Sequence, residues 1–145
     1  MFRFLGKITR RENKGVSEQE ILQLENNLSI NLPKAYKEFL FLGGKYDNII
    51  NSFELSFENL QYMQELAKSR INAENLNLKK IWCFAEYGDA DSFMFFFLND
   101  GENPPVYNFI AEKGLLNDKE PVSYIKFRDS FSAYIEKAID EALTK

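Results

Sequence analysis

The chain has 145 residues, 45% of them apolar and 28% charged, with a net charge of −4; it is long enough for one self-sufficient core and too apolar for intrinsic disorder. It contains no histidine and a single cysteine, which excludes Ser-His-Asp and Cys-His nucleophile systems, histidine-ligated zinc and any intrachain disulfide. The longest apolar run, Phe93 to Leu98, falls far short of the roughly 20 residues of a bilayer span, and the start Met1-Phe2-Arg3-Phe4-Leu5-Gly6-Lys7 lacks the features of a secretion signal. A cytoplasmic protein is the expectation.

Val16-Ser17-Glu18-Gln19-Glu20-Ile21 predicts a helix start, in which Ser17 caps, Glu20 reaches back and Val16 staples onto Ile21. The helix should run from about Glu18 to Asn27, with Ile21, Leu24 and Leu28 on its apolar face. Leu32-Pro33 opens a second helix with Ala35, Phe39 and Leu42 on one face and Tyr36 and Leu40 beside them, ending in a left-handed stop at Gly43-Gly44. Ile49 to Phe57 alternates as an extended segment, and a helix follows from about Glu58 to Arg70 with Leu60, Met63 and Ala67 as its stripe.

Three strands follow, Ile81 to Ala85, Ser92 to Leu98 and Val106 to Ile110, punctuated by Tyr87-Gly88-Asp89 and Asn99-Asp100-Gly101. Antiparallel meandering is the simplest pairing, with Pro104 and Pro105 keeping the start of the third strand at an edge or in a loop. Cys83, between Trp82 and Phe84, reads as core. A final helix starts near Asp129 or Ser130 and carries Phe131, Ile135, Ala138, Ile139 and Ala142 on one face. Helices, then a strand block, then a helix argue for a single α+β domain over residues 1–145, with 1–14 a loosely attached basic segment.

Charge is segregated. From Ile81 to Glu112 there is no Lys or Arg, whereas Glu86, Asp89, Asp91, Asp100, Glu102 and Glu112 are acidic. Near the start, Arg3, Lys7, Arg10, Arg11 and Lys14 are opposed only by Glu12. The acidic positions read as solvated strand turns or as a surface for a basic partner. Glu86, Asp89 and Asp91 also invite a metal-dependent carboxylate hydrolase, for which Asp89-Ala90-Asp91 is too short a motif to carry weight. No metal, cofactor, nucleic-acid or membrane site is expected. Tyr46, Tyr62, Tyr87, Phe93 and Tyr107 are candidate aromatic anchors.

Three blocks in order resemble the SUKH superfamily, bacterial immunity proteins together with a fungal cell-wall synthesis regulator. The first is Val16 to Glu25 with Leu32-Pro33-Lys34-Ala35-Tyr36-Lys37-Glu38-Phe39-Leu40 and Gly43-Gly44. The second is Ile81 to Leu98 with Pro105-Val106-Tyr107, and the third is Ser130-Phe131-Ser132-Ala133-Tyr134-Ile135. The chain departs from the family pattern at Ala90-Asp91, where a glycine-rich turn is usual. The resemblance implies a mixed, mainly antiparallel sheet packed on helices, no catalysis, and an immunity protein that neutralises a cognate toxin, often a nuclease. A basic nuclease would meet an acidic surface, for which Glu86, Tyr87, Asp89, Asp91, Asp100 and Glu102 are the candidates; a regulatory adaptor is the alternative. The motif residues themselves are caps, helix openers and core aromatics, which mark the fold and not the binding surface.

Overall fold

A computed structural model describes residues 15–45, 56–73, 80–87, 92–110 and 124–144. The segments 1–14, 46–55, 74–79, 88–91 and 111–123 and residue 145 lie outside it, and with them the N-terminal basic stretch, most of the extended segment expected before Phe57, Tyr46, and the turn carrying Asp89 and Asp91.

Helix α1 spans Glu18–Leu28, and both halves of the expected capping box form: the Glu20 N–H donates to Ser17 Oγ, and the Ser17 N–H donates to the Glu20 carboxylate, each at 3.1 Å. Val16 and Ile21 are both buried, as a staple requires. The helix ends on Ser29, whose φ of 52° is left-handed, while the Ile30 N–H reaches back to the Glu25 carbonyl at 3.0 Å. Leu28, expected on the packed face, is 47% exposed, and Glu25 is buried in its place. The Glu25 carboxylate accepts the Leu32 N–H at 2.8 Å and stands 3.6 Å from Lys37 Nζ. It therefore ties the link between the first two helices to α1 and is itself compensated.

Helix α2 spans Lys34–Gly43, with Pro33 one residue outside it as N-cap. The expected left-handed glycine stop is not found: Gly44 has φ −77° and ψ −10°. Glycine is needed there for a different reason. A Cβ would lie 2.6 Å from the Leu40 Cα and 2.8 Å from the Leu40 carbonyl oxygen, so the absence of a side chain permits close approach. The chain then re-enters at Ser56, and Phe57 begins a single 3₁₀ turn, Phe57–Asn59, instead of ending a strand. That turn leads directly into α3, Leu60–Ala73, which buries Leu60, Met63 and Ala67 as their spacing predicts.

The sheet is an antiparallel meander in the order β1-β2-β3-β4, formed by Ile81–Tyr87, Ser92–Phe97, Val106–Ile110 and Tyr124–Arg128. Three of these strands follow the sequence expectation; β4 was not expected, and its Ile125, Lys126 and Phe127 are all exposed. Trp82 pairs with Phe96, so Phe84, two residues on, lies on the same side as Phe96, and a bulge between Cys83 and Ala85 shifts the register beyond it. On that side Phe84 and Phe96 stack at 5.6 Å, and Tyr36 of α2 and Phe131 of the closing helix α4, Phe131–Leu143, meet them at 5.1–6.4 Å. On the other side Phe93 stacks on Phe109 at 4.6 Å and Phe95 on Tyr107 at 5.6 Å. β2 therefore supplies core to both faces, and its central residues Phe93 to Phe96 are buried.

Candidate partner-binding surface

Asp100 and Glu102 sit in the loop between β2 and β3, and both are exposed without an ion pair among the described residues. The loop is short because Asn99-Asp100-Gly101 reverses it tightly: Gly101 has φ 87°, a conformation that suits glycine. The Asp100 N–H closes the turn onto the Phe97 carbonyl at 3.2 Å.

Two helix N-termini fasten this loop. The Glu102 carbonyl accepts the Ala35 N–H at 2.9 Å, satisfying one of the open donors in the first turn of α2. Asn103 then grips α4, its Oδ1 accepting the Ser132 N–H at 2.9 Å and its Nδ2 donating to Ser132 Oγ at 2.7 Å. Ser130, the N-cap of α4, accepts the Ala133 N–H and lies 3.2 Å from the Ser132 hydroxyl. The two carboxylates thus project from a backbone held on either side, which lowers the ordering entropy lost when something binds them.

Glu86 and Tyr87 lie elsewhere. They end β1 next to the β1–β2 turn, where Glu86 is half-buried opposite Phe93. From Phe93 to Phe97 along β2 the sheet extends roughly 14 Å, so Glu86 and Asp100 stand at opposite ends of it. The six candidates do not form one cluster: Asp100 and Glu102 share a loop, Glu86 and Tyr87 share the far strand end, and Asp89 and Asp91 lie outside the described residues. Of the aromatic candidates, Tyr62 is 55% exposed, Tyr107 is half-buried and Phe93 is fully buried. Phe93 is core because its ring is stacked under Phe109.

Sequence reasoning passed over a second surface. A groove of about 730 Å³ runs between α1 and α2, floored by Ile21, Leu22, Phe41 and Leu42 and edged by Glu18, Glu38 and Lys34. The signal was the pair Ile21-Leu22: two adjacent large apolar residues cannot both face inward on one helix, and Leu22 is left 57% exposed.

Two buried titratable groups, Cys83 and Tyr36, are shifted by their burial. Burial pushes the Cys83 thiol far above its ordinary value, and the thiol points at the Ala85 carbonyl 3.7 Å away. Burial likewise raises the Tyr36 phenol, with the adjacent Trp82 indole opposing the shift. Among the described residues no three carboxylate or thiol groups are placed to hold a metal, and no helix is long and apolar enough to cross a membrane.

No curated protein matches this chain. The family model of the SMI1 / KNR4 family (SUKH-1) matches residues 15–137, a span that contains the capped α1, the Pro33 entry to α2, the meander and most of α4. The chain therefore belongs to the SMI1 / KNR4 family (SUKH-1).

Proposed function

We propose that this chain is a cytoplasmic immunity protein that binds a cognate toxin and neutralises it stoichiometrically, the toxin being a basic nuclease. It acts by occupying a surface, not by chemistry. Family membership over residues 15–137 carries the reading. The acidic loop at Asp100 and Glu102, pinned through Glu102 and Asn103 to two helices, supports it as a preformed element for a cationic active-site rim. No cofactor is required, since a basic groove that binds nucleic acid is blocked by a complementary acidic body.

The test is growth rescue. Any toxin-like protein encoded beside this chain is expressed with and without it, and the pair is purified together. Rescue with a one-to-one complex is the expected result. Toxicity without rescue or complex would sink the immunity reading and favour the regulatory adaptor, whose partner would then be sought by affinity capture.

A further inference from the structure

We infer that the groove between α1 and α2 is the docking site for a basic amphipathic helix of the partner protein. The inference rests on the reading that the chain works by binding a partner, and it names the partner's contact element.

The two helices run antiparallel, the start of α1 being tied to the last turn of α2 by the Val16 N–H to Leu40 carbonyl bond of 2.7 Å. Paired helices leave a furrow into which the ridge of a third helix fits. Among the described residues the furrow is open, and its apolar lining is Ile21 and Leu22 from α1 with Phe41 and Leu42 from α2. Leu22 stands 57% exposed, in position to meet an apolar side chain of an incoming helix.

Charge selects the occupant. Glu18, Glu25 and Glu38 edge the groove against Lys34 and Lys37, and Lys37 is engaged with Glu25 at 3.6 Å. Two carboxylates thus face one lysine that has no ion pair among the described residues. Glu38 Oε2 is enclosed and accepts no hydrogen bond among the described residues, a desolvated oxygen that an ammonium or guanidinium donor would satisfy after a side-chain rotation. The acidic loop is fastened beside the Lys34 end of the groove, since the next residue, Ala35, donates to the Glu102 carbonyl. Asp100 and Glu102 therefore extend the same negative field beyond the groove.

The probe is a dansyl-labelled peptide of leucine and lysine, about five helical turns long and amphipathic, titrated into the full chain. A leucine and glutamate peptide of the same pattern is the comparator. The expected result is one-to-one binding of the basic peptide only. Leu22→Lys should weaken it by at least about tenfold, and Glu18→Lys should weaken it in the same direction. Leu143→Lys, which alters an equally exposed leucine on α4, should leave it unchanged. Both altered leucines lie in solvent, so thermal melts should match the parent.

Equal binding of the two peptides overturns the inference, as does an equal effect of Leu22→Lys and Leu143→Lys. A dimer in sedimentation that Leu22→Lys dissolves also overturns it, by giving the groove to a second copy. Growth rescue is scored separately. Loss of rescue by the parent chain speaks against immunity, whereas intact rescue with no peptide preference speaks only against the groove.

Discussion

Gln64 holds Cys83 by both of its main-chain groups: the Cys83 N–H donates to Gln64 Oε1 at 3.0 Å, and Gln64 Nε2 donates to the Cys83 carbonyl. β1 ends the described sheet, so the amide of α3 stands in for one residue of a further strand and blunts an edge that would otherwise accept a foreign one. Gln64→Ala should lower stability by about 1–3 kcal/mol in urea unfolding, because a donor and an acceptor are left unmade together. Gln64→Glu should not restore it, since a carboxylate keeps the acceptor but faces the Cys83 carbonyl with no donor.

Glu25 offers a contrast between a hydrogen bond and an ion pair. Glu25→Ala strips the Leu32 N–H of its acceptor and should cost about 1–3 kcal/mol. Glu25→Gln keeps an acceptor and loses only the attraction to a Lys37 side chain that is 37% exposed, for which less than about 1 kcal/mol is expected. Equal losses in the two variants would show that the charge, not the cap, holds the link.

Phe131 touches the rings of Tyr36, Phe39, Phe84 and Phe96 at 5.1–6.0 Å and is fully buried. Phe131→Ala should cost about 3–5 kcal/mol, and Phe131→Leu clearly less, as read by urea unfolding. A mild alanine effect would mean that α4 is not what closes the core.

Stability should decline in alkali. The Cys83 thiol and Tyr36 phenol are both raised by burial, so each holds its proton more tightly folded than unfolded. Their contribution is complete below the ordinary values of about 8.5 and 10, and it falls above them by up to about 1.4 kcal/mol per pH unit for each group, until the folded values are reached. Cys83→Ala should flatten the decline between about pH 9 and 10, and an unchanged slope would refute the assignment. In the native state Cys83 should also resist thiol reagents until the chain is unfolded.

Asp100→Asn with Glu102→Gln should slow association with the captured partner and reduce its salt dependence, leaving the unfolding free energy within about 0.5 kcal/mol of the parent. Neutralising Glu86, at the far end of the sheet, tests the other acidic position independently. An unchanged association rate in the loop variant would remove the loop from the interface.

The elements that sequence periodicity captured are those whose pattern matches their burial. α1 has a complete capping box, α4 repeats apolar residues every three to four positions, and β1 to β3 are bounded by turn residues. β4 was passed over although Ile125-Lys126-Phe127-Arg128 alternates apolar and charged residues, because the pattern is only four residues long, and its apolar positions turn out exposed. Gly44 was recognised as a stop but for the wrong cause, since close approach to Leu40 is a tertiary fact that the dipeptide cannot disclose. Among the described residues the left-handed helix stop is at Ser29, an uncommon choice where glycine or asparagine is usual. The acidic loop was visible as composition, but its separation from Glu86 depends on which way the meander runs. The groove was not visible as a site, because it arises only when two helices that read separately lie side by side.

The two-sided burial of β2 has a consequence for what happens once the fold opens. Ser92 to Leu98 contains no charge, no proline and no glycine, the composition that self-associates in register when released. Native packing hides every central ring of this segment, so the molecule remains dispersed only while the meander is shut. Heating should accordingly end in aggregation instead of a reversible equilibrium, and the melting temperature should rise with scan rate. Its lifetime in solution is then governed by how rarely β2 is exposed.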